Sequence, residues 1–263
     1  MTGEVRFERD PQQPAIGLLT LAHPAKLNAI SLAMWRALRE LAEGFDAAAP
    51  ALAVVILRGE GEAFAAGADI AEFPQFRFEA TSLRDYHEAV IAPALQALLA
   101  TNVPLIAQIT GACVGGGLEI ASCCDIRIAD ASARFGAPIA KLGFPMAPDE
   151  LAVVLAAAGH ATAAELLLEA RLIDAATALQ RGLLHRVADD AQAESLATAR
   201  RIAALPVDVA RANKRTLRQL RRGTLGAAER AAHFGYAAAG YHREGIAAFL
   251  EGRAPDFTAW NQT

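Results

Sequence analysis

Cysteine is scarce in this sequence, three residues in 263, and none has the spacing of a zinc site or of a disulfide framework. Cys113, Cys123 and Cys124 read as small buried packers in a reducing cytoplasm. The six histidines are scattered and form no His-x-x-x-His pair, so no metal is expected. Charge of one sign is not in large excess either. A net charge of −4 and a pI near 5.9 give no global drive toward nucleic acid or an anionic membrane. Met1 to Asp10 is charged and has no apolar core segment, which excludes a secretory signal there. No apolar run is read as approaching the ~20 residues of a membrane span. What remains is a chain 54% hydrophobic, long enough to bury one large core with a helical appendage.

The most telling segment that is present runs Gly111-Ala112-Cys113-Val114-Gly115-Gly116-Gly117-Leu118-Glu119. It follows Pro104 to Ile109, which reads as a buried strand, and opens a helix over roughly Gly116 to Cys123. Glycines let a ligand approach backbone N–H groups that a Cβ would shield, and the helix start adds free N–H groups and a positive dipole end. A phosphate loop is excluded, because the terminal Lys-Ser/Thr and the nucleotide-fingerprint spacing are missing. A tight turn with close helix packing would explain the glycines equally well, were it not for a second matching segment. Ala63-Phe64-Ala65-Ala66-Gly67-Ala68-Asp69-Ile70 follows the strand Ala53 to Leu57 and opens a helix near Asp69, freeing an N–H at Ala68. Two N–H donors from separate loops can converge on one carbonyl oxygen, which is what holding an enolate or thioester oxyanion requires.

With these two segments the chain resembles the crotonase, or enoyl-CoA hydratase/isomerase, superfamily over nearly its whole length. The other markers are His23-Pro24-Ala25-Lys26-Leu27-Asn28-Ala29, Cys124 to Ala129, Phe135-Gly136-Ala137-Pro138, and Ala175 to Val187, all in family order. The resemblance implies an α/β fold, a spiral of repeated β-β-α units over residues 1–190, with a C-terminal helical trimerisation region over 191–263. It implies an acyl-CoA thioester as substrate, no permanently bound cofactor, and a homotrimer or a hexamer built as a dimer of trimers. Ala68 and Gly116 would supply the oxyanion hole, and Glu119 would face the acyl carbons as acid/base. Without that context Glu119 reads as a solvated first-turn glutamate helped by the helix dipole. Coenzyme A would be held by Lys26, Ala66, Gly67, Ala68, Asp69 and Ile70, with Phe249 and Arg253 approaching from the C-terminus. Two lysines common in the family are absent, since Ala71 and Gly252 stand in their places.

One departure bears on the chemistry. Where efficient hydratases of the family carry a second glutamate, this chain has Ile139, and the glycine-rich loop that follows reads Phe144-Pro145-Met146-Ala147-Pro148-Asp149-Glu150. The prolines imply a different backbone path and a reshaped acyl pocket. An isoleucine beside Glu119 would desolvate it and push its pKa upward. Asp149 and Glu150 read as capping residues at a helix start, with substitution for the missing carboxylate as the alternative. A hydratase or isomerase is therefore the leading expectation, and a degenerate, non-catalytic binder of fatty acyl-CoA is the rival.

Elsewhere, Ile16 to Leu21 reads as a strand, Ser31 to Phe45 as a helix capped by Ser31, and Leu83 to Ala100 as one helix with Leu95, Leu98 and Leu99 in the core. Eight basic residues lie between Arg200 and Arg222 against one acid, Asp208. Arg211, Lys214, Arg215, Arg218 and Arg222 share one broad helix face, read as solvated or salt-bridged, with attraction of CoA phosphates as the sharper alternative. No aromatic interleaving supports nucleic-acid binding.

Overall fold

Strands with both faces buried build the centre of the molecule. The structure, a computed structural model, describes residues 3–48 and 51–261, so the first two residues of the charged Met1 to Asp10 stretch lie outside it. The edge strand β1 (Glu4–Arg9) pairs antiparallel with β2 (Ile16–Ala22). Helix α1 (Leu32–Gly44) starts as expected at Ser31, whose Oγ accepts from the Met34 N–H at 3.2 Å, and it buries Met34, Trp35, Leu38 and Ala42. There follow β3 (Val54–Gly59), α2 (Ala80–Asp85), α3 (Ala92–Ala100), β4 (Leu105–Ile109), β5 (Ala112–Val114) and α4 (Gly116–Ser122). Next come β6 (Ile126–Ala129), β7 (Arg134–Gly136), α5 (Pro148–Leu168), β8 (Ile173–Asp174), α6 (Ala175–Gln180) and β9 (Arg186–Val187). Helices alone complete the described chain: α7 (Ala191–Ala203), α8 (Val207–Arg222), α9 (Ala227–Ala232), α10 (Gly240–Glu251) and α11 (Thr258–Asn261).

The larger sheet has the order β1-β2-β3-β4-β6-β9 and is parallel from β2 onward. Its inner strands β2, β3 and β4 are largely aliphatic because both of their faces are covered, whereas the edge strand β1 alternates exposed and half-buried residues. Val55 and Leu57 of β3 point into the core shared with α1, α3 and α4, while Val54 and Ile56 pack with Ile106, Ile128 and Ala199, the last from α7. A second sheet, β5-β7-β8, lies after the turns that leave the first. Its register sets the site: Cys113 pairs with Phe135 on one side, and an isolated parallel bridge joins it to Ala65 on the other. Ala65, Cys113 and Phe135 are thus successive rungs of a spiral. All three cysteines are free and buried, as packers should be.

The segment expected to be one helix from Leu83 to Ala100 is interrupted. Between α2 and α3, Tyr86–Ile91 is wound as a π-helix, immediately before Pro93, which has no N–H to give to the ladder. Helix α5 also differs from expectation, since by length and composition it could cross a membrane. It is not one straight rod, however: Gly159 has a non-helical φ of 74° and ψ of 162°, which splits it into two segments.

Part of the basic face of α8 turns inward, at Arg211, Lys214 and Arg218, while Arg215 and Arg222 stay exposed. Arg218 donates to the carbonyl oxygens of Leu99, Ala100 and Thr101, closing the C-terminus of α3, and Arg211 donates to Leu52 and Asp46 carbonyls. Lys214, only 9% exposed, donates to the Val103 carbonyl at 2.8 Å and pairs with Asp125 at 2.8 Å. These cations stitch the C-terminal helices to the core and are not free for phosphates. Replacing Lys214 by Met should therefore cost about 1–3 kcal/mol of unfolding free energy. Arg215→Met, on the exposed side of the same helix, should stay within about 0.5 kcal/mol in the same urea titration.

Candidate active site

The spiral register brings the two glycine segments together. Three residues beyond the paired Ala65 and Cys113 stand Ala68 and Gly116, so the loops run side by side and turn into helical structure at the same level. Backbone hydrogen bonds fix the first loop: Ala65 N–H donates to Ala112, Ala66 N–H to Leu27, and Asp69 N–H to Ile30, while Ile30 N–H donates to Gly67. The N–H groups of Ala68 and Gly116 are engaged by no loop or side-chain acceptor among the described residues. A positive φ of 105° at Gly67 permits the reversal that turns Ala68 toward the second loop. At Gly116 a Cβ would lie 2.9 Å from Cζ2 of the buried Trp35 and 3.8 Å from the Ala68 nitrogen, so the approach of the two loops requires glycine there.

A cleft of about 340 Å³ opens in front of these N–H groups. Glu119 lines it from the first turn of α4 and is only 5% exposed. Burial, and then the negative charge of Glu150, hold its carboxyl well above the usual carboxylate range. Ile139, from the turn after the third rung, lines the same cleft and belongs to the apolar wall that dries it. Tyr86 lies 4% exposed against it, its hydroxyl pushed up by burial and by the Glu119 and Glu150 charges, so it remains a donor. Phe73 and Phe144 meet edge to face, 6.1 Å between ring centres, so the proline-containing loop after Leu142 adds an aromatic wall to the cleft.

The structure separates the two acids at the start of α5. Asp149 lies outside this cleft, whereas Glu150 is 4% exposed and lines it. Neither side chain caps the helix, whose N-cap is Ala147, contrary to the capping expected of both Asp149 and Glu150. Glu150 Oε1 instead meets His87 Nδ1 at 2.5 Å, and His87 Nε2 lies 3.3 Å from Arg77 Nη1. Arginine can only donate, so Nε2 is the acceptor and Nδ1 carries the proton given to Glu150. Arg77 is itself held between rings, 4.4 Å from the Phe73 centre and 3.8 Å from that of Phe144. Tyr86, His87 and Arg77 were not legible as site residues. Their one sequence signal is Pro93, which announces the widened helical turn that carries Tyr86 and His87.

Of the residues expected to hold coenzyme A, Ala66, Gly67, Ala68 and Ile70 line the cleft. Lys26 and Asp69 do not line it but pair with each other at 2.6 Å, the Lys26 side chain remaining 43% exposed. Asp69 is buried and also accepts from the Ala71 N–H. Burial raises its carboxyl, but the Lys26 and Ala71 hydrogen bonds outweigh this and leave it below the usual range. Asp69 is therefore a cap that ties the Lys26 loop to the next one. Asn28 does the same from the other side, its side chain joining His23 to the Glu60 and Ala63 carbonyls. Phe249 and Arg253 are not brought to the cleft of their own chain: Phe249 is exposed, and Arg253 is held by Glu244 and Glu251.

Because Glu119 binds its proton more tightly folded than unfolded, its ionisation opposes folding, and stability falls as pH rises above the ordinary glutamate value of 4.5. Glu119→Gln should melt higher than the wild type at pH 7–8, with the gap closing toward pH 4.5. A thermal melt series over pH checks this.

Comparison with known proteins places the chain in a family. Residues 11–260 match the enoyl-CoA hydratase/isomerase family. A probable enoyl-CoA hydratase of Mycobacterium bovis is 35% identical over 259 residues, 97% of each chain. A 2,3-dehydroadipyl-CoA hydratase of Escherichia coli is 35% identical over 254 residues, 94% of this chain and 96% of that one. Among solved structures, an enoyl-CoA hydratase/carnithine racemase of Magnetospirillum magneticum superposes with a TM-score of 0.91 at 41% identity, covering 98% of this chain and 97% of its own. With the family match running over residues 11–260 and the α/β fold shared, the chain belongs to the enoyl-CoA hydratase/isomerase family, the crotonase superfamily.

Proposed function

We propose that the protein acts on acyl-CoA thioesters, holding the thioester oxygen with the Ala68 and Gly116 N–H groups and moving a proton at C2 with Glu119. One observation carries the reading: a buried carboxyl stands one helical turn from an unengaged N–H, beside a second unengaged N–H, in a mostly apolar cleft. Donors aimed at an oxygen that gains charge lower the barrier to forming an enolate by roughly 3–4 kcal/mol each. Burial keeps Glu119 protonated more readily than a surface glutamate, which suits delivery of a proton to C2 of an enoyl thioester. Hydration is the favoured direction, in line with the hydratases to which the chain is similar.

Coenzyme A enters as part of the substrate, along the loop Ala66 to Ile70, with Lys26 sharing its charge between Asp69 and the CoA phosphates. The exposed apolar residues Leu217, Leu220, Phe234, Ile246, Phe249 and Leu250 form the contact face of a trimer, or of a hexamer of two trimers. In that assembly Phe249 and Arg253 would reach a neighbour's CoA. A cytoplasmic location accords with this function. Light scattering that reports a monomer at micromolar concentration would contradict the assembly.

The rival, binding without turnover, predicts no chemistry at C2. Glu119→Gln keeps shape and should slow deuterium exchange at C2 of a bound acyl-CoA by at least about 100-fold, with little change in binding. Gly116→Val should abolish exchange and weaken binding, since its side chain meets Trp35 and the oxyanion position. Exchange at the wild-type rate in either variant would remove the assignment.

A further inference from the structure

We propose that Glu150, aimed by His87 and Arg77, is the second proton-handling carboxyl of this site and takes a proton from the water that adds to C3 of an enoyl thioester. The proposal rests on the reading that Ala68 and Gly116 hold the thioester oxygen and Glu119 serves C2. Hydration divides naturally between two groups, one that deprotonates water and one that protonates carbon. Ile139, on the turn where the family resemblance sets the second glutamate, can do neither.

Glu150 reaches the same cleft from another element, the first turn of α5. Its burial is costly unless the carboxyl is partnered, and a partner is present at Oε1 in His87 Nδ1–H. Oε2 has no hydrogen-bond partner among the described residues and is not sealed from the cleft, which leaves one lone-pair edge for water. His87 sits on the π-helical turn Tyr86–Ile91, and its tautomer is set by Arg77, whose guanidinium is clamped between Phe73 and Phe144. Widened turns of this kind are frequent at functional sites, and a three-membered chain of fixed groups ending on one carboxylate is the arrangement that orients a general base. Phe144 belongs to the loop that departs from the family pattern, so the altered loop and the relocated carboxylate form one construction.

Glu150 accepts a proton from water as the water oxygen bonds to C3. The C2=C3 electron pair moves to form the enolate, whose oxygen rests on the Ala68 and Gly116 N–H groups. The enolate then collapses as C2 takes the proton of Glu119. One water has been added, Glu150 holds a proton and Glu119 lacks one; exchange with solvent resets both. Glu150 touches the reacting water, whereas His87 and Arg77 are positioning residues.

The test compares two reactions of one enzyme, hydration of crotonyl-CoA and C2 deuterium exchange of butyryl-CoA. In Glu150→Gln, which keeps shape and the acceptor for His87, hydration kcat should fall at least about 100-fold more than exchange does. His87→Phe should lower hydration kcat about tenfold with KM unchanged, and His87→Gln, which keeps a donor, should recover most of it. Adding Ile139→Glu to Glu150→Gln should restore hydration by at least about tenfold, with thermal melts confirming folding of each variant. Hydration within about threefold of wild type in Glu150→Gln overturns the proposal, and so does an equal loss of both reactions, which would mark Glu150 as a structural residue. A wild type that shows no C2 exchange while its hydration still depends on Glu150 would sink the Glu119 reading and leave Glu150 standing.

Discussion

The parallel register that links Ala65, Cys113 and Phe135 is the constraint on which the site depends. Each of these residues closes a rung of the spiral, and three positions later the chain turns away from the rung: at Ala68, at Gly116 and at Pro138. A slip of one residue would reverse the facing of every side chain beyond it. The two N–H groups would then no longer share one opening. Glycine at 67 and 116 is what lets adjacent turns approach so closely, with Trp35 filling the space that a Cβ would have taken.

Upon this frame the electrostatics follow from burial. The short helix α4 offers its N-terminal dipole to Glu119, which favours the anion, but loss of water and the neighbouring charge of Glu150 prevail and raise its pKa. Two carboxyls in one dry cleft do not ionise together cheaply, and here their surroundings differ. Glu150 has a hydrogen-bond donor in His87 and a cation behind it in Arg77, while Glu119 has an apolar wall that includes Ile139. Such asymmetry is what separates an acid role from a base role.

Much of this was legible in the sequence. Aliphatic runs flanked by glycine turns marked β3, β4 and the start of α4, and Ser31 marked the start of α1, because strand burial and helix capping are local effects of residue type. The pairing of two loops into one candidate oxyanion site was also readable, since each loop repeated the same strand-to-helix pattern. What was hidden came from distance in the chain. Glu150 meets His87 across 63 residues, and the inward course of Arg211, Lys214 and Arg218 depends on carbonyls more than a hundred residues away. A run of basic residues at helical spacing looks solvated until the open end of α3 is seen beneath it. Similarly, Asp149 and Glu150 are adjacent and chemically alike, and only the direction of the first turn of α5 sends one into the cleft and the other out of it.

The claim that two backbone N–H groups from neighbouring rungs grip a thioester can be checked most directly by a crystal structure with a bound acyl-CoA. The thioester oxygen is expected at about 2.7–3.1 Å from both the Ala68 and Gly116 nitrogens, with C2 facing Glu119. A thioester seated elsewhere, or an oxygen that reaches neither N–H group, would contradict it.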